Sequence, residues 1–125
     1  MLIKALLIDI DGVLTIGGVP IPGAAGAIQW IEDRGIPHRF VSNSTRRSRK
    51  QIAERLNQAG FSIPADQITT PVVAALRLLE EQGISACRLL MTDAARSEFC
   101  DAGIDDASHD PEAVIIGDAG SGFTF

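Results

Sequence analysis

The chain has little with which to hold a polyanion, cross-link itself or enter a membrane. Its 125 residues carry 11 lysines and arginines against 16 aspartates and glutamates, a formal net charge of -5 with a pI near 4.8. A surface of that sign repels nucleic acid unless its positive charge is gathered locally. No nucleic-acid partner is therefore expected. The only two cysteines, Cys87 and Cys100, form no CxxC pair and imply neither a zinc site nor a disulfide framework. A reducing, cytoplasmic setting is the expectation. No run comes near the roughly 18 apolar residues needed to span a bilayer. The apolar start, MLIKALLIDI, is interrupted by Asp9 and followed by Asp11, without a convincing cleavage site after it. The reading is a soluble protein with no membrane partner.

What is present is apolar enough to fold. Hydrophobic residues make up 46% of the chain and the mean hydropathy is +0.17, which suits one compact domain with a real core. Apolar runs alternate with helical ones. Lys4 to Ile10 is nearly continuously apolar, as in a strand buried on both faces of a parallel sheet. Gly23 to Arg34 has helical spacing, with Gly35 as its stop and Trp30 expected to pack on the sheet. His38 to Ser42 reads as a strand, and Ser48 with Gln51 as the capping box of a helix running to Ala59. Ile68 to Thr70 is a third candidate strand. Thr70 and Pro71 then suit the N-cap and first position of a helix from Val72 to Gln82, stopped by Gly83. Cys87 to Met91 and Ala113 to Gly117 read as strands around a helix near Ala94 to Ala102, and Asp105 to Pro111 as a polar surface loop. This rhythm predicts an α/β fold with a mainly parallel, Rossmann-like sheet.

The first strand ends unusually, in LLIDIDGVLT, residues 6 to 15. Residues i and i+2 of a strand face the same way, so Asp9 and Asp11 share a side if the strand lasts that far. Open α/β sheets bind ligands at the carboxyl ends of their strands, where Asp9 to Gly12 falls. Two carboxylates crowded there repel each other, and a magnesium-type cation, taking few protein oxygens and keeping water for the rest, relieves that. One carboxylate can then attack phosphorus while the other gives and takes a proton, and Gly12 lets the backbone turn beside the substrate. At the end of the next strand, Ser42 and Asn43 offer short donors near a helix start, which makes an anion site. Arg46, next in line, is a candidate phosphate contact. The neighbouring Arg47, Arg49 and Lys50 read as a solvated helical turn.

An apolar strand followed by D-I-D-G-V-L-T resembles the first motif of the haloacid dehalogenase superfamily, and FVSNSTR, residues 40 to 46, resembles its second. The phrases VPIPGA, ITTP and AVIIG are similar to the NagD-type subgroup, with its relatives the phospholysine and phosphoglycolate phosphatases. The resemblance runs through essentially all of the chain. It implies a magnesium-dependent phosphatase of small phosphorylated metabolites. Asp9 would be the nucleophile that becomes an aspartyl-phosphate and Asp11 the acid and base. Both would hold magnesium, and Gly12, Ser42, Asn43 and Arg46 would meet the substrate. It also implies residues 1–82 as the first part of a hydrolase core and 83–125 as the first part of an α/β cap.

The resemblance stops short of two later motifs, a lysine and an acidic pair, that normally follow the cap. The only lysines, Lys4 and Lys50, stand in the wrong places to replace the first. Asp118, in IIGD, imitates the start of the acidic motif, but no second acid follows it. Gly117 to Gly122 imitates a P-loop, but Phe123 stands where a lysine would contact phosphate. The expectation is that these 125 residues alone are much less active than a full-length relative. The alternative is a non-catalytic half that binds or self-associates, a possible homo-oligomer, because a cut parallel sheet leaves bare edges and apolar surface. A receiver-type phosphoacceptor module fits less well, since both acids lie in the first strand.

Overall fold

The computed structural model describes residues 3–122. Their backbone forms not one core but two, each built around its own three-stranded parallel sheet. The first compact unit is the chain up to Ser42 together with Arg49–Thr69; the second is Asn43–Ser48 with the chain from Thr70 on.

In the first unit, β1 (Leu6–Asp9), β4 (His38–Val41) and β5 (Ile68–Thr69) lie side by side in that order. The parallel register sets Ile8 beside Phe40 and Phe40 beside Ile68, one row on one face. Helices α1 (Ala24–Asp33) and α2 (Arg49–Gln58) both cover that face, burying Ile28, Ile52, Ala53 and Leu56 against Phe40 and Ile68. The opposite face stays open, and Leu7 on it is 76% exposed. Trp30 does not pack on the sheet as expected. It is 52% exposed on the outer side of α1, with the Arg34 guanidinium 3.9 Å over its ring. Four residues apart on one helix, the two stack on each other, a cation–π contact that needs no sheet.

Between β1 and α1 the chain makes a small antiparallel hairpin, β2 (Thr15–Ile16) and β3 (Val19–Pro20). Its loop is Gly17-Gly18, with φ of +59° and +85°. Positive φ at both central positions is what a tight two-residue hairpin turn demands.

The second unit repeats the plan. Its sheet runs β7 (Asp105–Asp106), β6 (Ala86–Leu90), β8 (Ala113–Ile116), all parallel. Helices α3 (Pro71–Gln82) and α4 (Asp93–Asp101) again cover a single face, where Cys87, Leu89, Ala113 and Ile115 meet Val72, Leu79, Ala95 and Phe99. The helix ends obey the sequence closely: Thr70 accepts a hydrogen bond from the Val73 amide and Gly83 ends α3 with φ +68°. The polar stretch from Asp105 is not wholly a loop, because Asp105–Asp106 forms β7. What makes a strand of two acids is the use of one: the Asp106 carboxylate accepts from the Leu89 amide at 3.0 Å and pairs with Arg96 and, at 4.0 Å, Arg88. α3 also packs with this unit, so the division by packing falls at Thr70. No helix among the described residues is long and apolar enough to cross a membrane.

Candidate active site

The carboxyl ends of β1 and β4 are adjacent, because Asp9 stands in register with Val41. Ser42 follows Val41 directly and is 8% exposed, its amide donating to the Thr69 carbonyl of β5 at 3.0 Å. The buried serine and the exposed Asp9 therefore lie at the ends of neighbouring strands, about 4.8 Å apart in a sheet. Asp9 has one constraint on its own backbone, an Oδ1 that accepts from the Ile10 amide at 2.9 Å.

The strand does not continue through Asp11. It ends at Asp9, and the chain then winds around the Ile10 carbonyl, which accepts from the amides of Val13, Leu14 and Thr15 at 3.3, 2.9 and 3.2 Å. Burial of Ile10 and Leu14 anchors this turn in the core. Asp11 forms an isolated bridge with Thr15, so the alternation survives the end of the strand: Asp9 exposed, Ile10 buried, Asp11 exposed. Gly12 makes the turn possible, with φ +88° and its amide donating to the Thr15 carbonyl at 2.7 Å. No atom lies within 4 Å of where its side chain would be, so the demand for glycine here comes from the backbone angle alone.

Asp9, Asp11, Gly12 and Ser42 thus belong to one unit and to one end of its sheet. Asn43 and Arg46, both exposed, belong to the second unit. α2 begins at Arg49, directly after Ser48, where the sequence places its cap. Asp118 falls just after β8, in the second unit, and Gly120–Gly122 forms a 3₁₀ turn; Phe123, which decides against a P-loop, lies outside the described residues. Lys4 is exposed before β1, and Lys50 is exposed in the first turn of α2.

Among the described residues no three acidic, histidine or cysteine side chains gather as a metal cluster. Two exposed carboxylates still suit magnesium, which is usually bound through one or two carboxylates with water and phosphate oxygens filling its octahedron. Asp9 and Asp11 are therefore a chemically adequate protein share of such a site.

The family model for haloacid dehalogenase-like hydrolases matches residues 6–105, from the start of β1 to β7. The chain belongs to that family. It is 35% identical over 127 aligned positions to the phospholysine phosphohistidine inorganic pyrophosphate phosphatase of Rattus norvegicus, covering 98% of this chain and 45% of that protein. Its fold superposes on the solved NagD of E. coli K-12 with a TM-score of 0.88 at 30% identity, covering 97% of this chain and 48% of that one. A glycerol phosphate phosphatase of Mycobacterium tuberculosis, solved in complex with magnesium, gives a TM-score of 0.79 at 28% identity, covering 91% of this chain and 36% of that one. The chain spans less than half the length of each of these proteins.

Two features of these haloacid dehalogenase-like residues escaped the sequence reading. The hairpin carrying Gly17-Gly18 was signalled by a Gly-Gly pair between β-branched residues. The assignment of Asn43–Ser48 to the second unit had no local signal at all.

Proposed function

We propose that this chain carries the nucleophile half of a phosphatase acting on small phosphomonoesters. The observation that carries the reading is the pair of exposed carboxylates, Asp9 and Asp11, at the carboxyl end of β1 beside the buried Ser42. Phosphatase relatives of the same fold support the reaction class. The first unit supplies part of the hydrolase core. We place the start of the cap at Thr70, because α3 buries Val72 and Leu79 in the second core.

In this reading the Asp9 carboxylate attacks phosphorus and the bond from phosphorus to the ester oxygen breaks. Asp11 delivers its proton to the departing alcohol. The resulting aspartyl-phosphate is then attacked at phosphorus by a water whose proton returns to Asp11, which frees phosphate and restores Asp9. The Ser42 hydroxyl and the Asn43 amide bind the phosphoryl oxygens, with Arg46 adding positive charge. Gly12 keeps the turn low beside the phosphoryl group. Asp9 and Asp11 would hold the magnesium ion, which would supply positive charge to offset that of the phosphate.

The test is release of phosphate from p-nitrophenyl phosphate, with and without magnesium, by the wild-type chain and by Asp9→Asn. Release that needs magnesium and falls at least about 100-fold in Asp9→Asn is expected, a conservative floor for the loss of a covalent nucleophile. Equal release by Asp9→Asn would remove Asp9 from the chemistry. The second reading, a non-catalytic half, is favoured by the lack of any third acid near the pair among the described residues. It predicts no turnover, with magnesium and phosphate still shifting the amide resonances of Ile10 to Gly12 and of Ser42.

A further inference from the structure

The segment after Ser42 is held by residues far away in sequence. The Asp118 amide donates to Thr45 Oγ1 at 3.0 Å, across 73 positions. The Thr92 hydroxyl donates to the Arg46 carbonyl, across 46 positions. Thr92 and Asp118 are themselves joined, the Thr92 amide donating to the Asp118 carbonyl at 3.3 Å. The four residues close a ring of hydrogen bonds: Thr45 to Asp118, Asp118 to Thr92, Thr92 to Arg46. Gly117 completes the fit. A Cβ there would stand 3.2 Å from the Thr45 carbonyl oxygen and 3.2 Å from Met91 Cβ, a tight fit that a side chain would relieve only by pushing a neighbour aside.

These contacts come from the carboxyl ends of β6 and β8, where Thr92 also caps α4 by accepting from the Ala95 amide. They act on backbone and hydroxyl groups of Thr45 and Arg46, leaving the side chain of Asn43 exposed. The six residues between Ser42 and α2 form no helix or strand, and each contact that fixes them beforehand lowers the ordering cost of a ligand that binds the exposed Asn43 and Arg46.

We infer that Thr45, Thr92 and Gly117 are positioning residues, a clasp that pre-forms the Asn43–Arg46 segment for phosphoryl binding. The inference rests on the reading of Asn43 and Arg46 as phosphate contacts. It extends that reading to the residues that hold the Asn43–Arg46 segment in place. The chemistry recognised is a phosphate group.

Two readouts separate the clasp from the reading beneath it. Hydrogen exchange of the Asp118 amide reports its bond to Thr45 with no ligand present, and titration with inorganic phosphate, followed at the Asn43 amide, reports binding. Thr45→Val should speed exchange at Asp118 about tenfold or more as the local bond opens. It should also weaken phosphate binding about 3- to 10-fold, the net worth of one hydrogen bond. Thr45→Ser, which keeps the hydroxyl, should restore both. Gly117→Ala, which removes no bond but crowds Thr45, should move both in the same direction as Thr45→Val and serves if that variant does not fold. Unchanged exchange at Asp118 overturns the clasp. Faster exchange with unchanged phosphate affinity overturns its positioning role. A wild-type Asn43 amide that ignores phosphate overturns the underlying reading and this role with it, while the exchange data still tell whether the bonds exist.

Discussion

The two units are built alike and end differently. Each has three parallel strands, two helices on one face and a bare opposite face: Leu7 in the first, Arg88, Val114 and Ile116 in the second. At the carboxyl ends the first unit presents acids to solvent, Asp9 and Asp11. The second also leaves Asp93 and Asp118 exposed, but it ties Thr92 and the Asp118 amide to Arg46 and Thr45 and holds Asp106 in ion pairs. The same scaffold position carries free-standing acids in one unit and a hydrogen-bonded tie in the other. What distinguishes them is how many partners the protein supplies to each polar group, not the sheet that carries it.

The sharpest way to break the comparison is through the cores. Phe40 and Phe99 are 0% and 1% exposed, one in each cluster, and truncation of such a side chain costs about 3–5 kcal/mol. Phe40→Ala should unfold the first unit while amides around Leu89 stay protected from hydrogen exchange, and Phe99→Ala should do the reverse. Loss of protection in both units from either variant would mean that the two cores form one cooperative body.

The cores were also the part most legible in the sequence. Continuous apolar runs such as LLI and AVII, and punctuation such as Thr70-Pro71 and Gly83, placed strands and helices to within a residue or two. Expectation failed where long-range partners decide. Asp105–Asp106 looks like a loop until Leu89, Arg88 and Arg96 are brought to it, and the segment after Ser42 looks like part of the first unit until Thr92 and Asp118 reach it. The pattern D-x-D-G placed two acids at the end of the first strand but not their geometry. The turn around the Ile10 carbonyl, which ends β1 before Asp11, comes from the burial of Ile10 and Leu14 on either side of Gly12.

The next contrast concerns charge inside the second unit. Asp106→Ala would leave the Arg96 guanidinium, whose side chain is 34% exposed, without its main partner, and remove the acceptor of the Leu89 amide. A loss of about 1–3 kcal/mol is expected, the range for leaving partly buried polar groups unsatisfied. Urea unfolding followed in the second unit measures it, and a change under about 0.5 kcal/mol, the usual surface value, would show that water replaces the carboxylate. The bare faces give a smaller effect. Apolar side chains exposed on a parallel sheet favour association, since such sheets are normally covered on both sides. Sedimentation should show concentration-dependent self-association, weakened by Leu7→Ser or by Val114→Ser with Ile116→Ser. A chain that stays monomeric at every concentration tested would argue against self-association through these faces.

The finest distinction is in pH, and both groups that report it lie across one strand pair of the second unit. Burial pushes the Cys87 thiol above its ordinary value of 9.0, with the nearby Glu112 carboxylate adding to the shift. The Glu112 carboxyl is held below its ordinary 4.5 because the amides of Ser85 and Ala86 both donate to its Oε2 at 3.0 Å. A raised folded value means that the folded chain keeps its proton when the unfolded chain has begun to lose it. The thiol's contribution is thus complete below pH 9 and declines as pH rises through the folded value. A lowered value has the opposite sense, so the Glu112 contribution is complete above about pH 4.5 and declines as pH falls through its folded value. Cys87→Val should flatten the alkaline fall and leave the acid one; Glu112→Gln should flatten the acid one. If both variants follow the wild-type profile, the pH dependence of this unit arises elsewhere, and the β6–β8 pair is held by its backbone ladder and its apolar face alone.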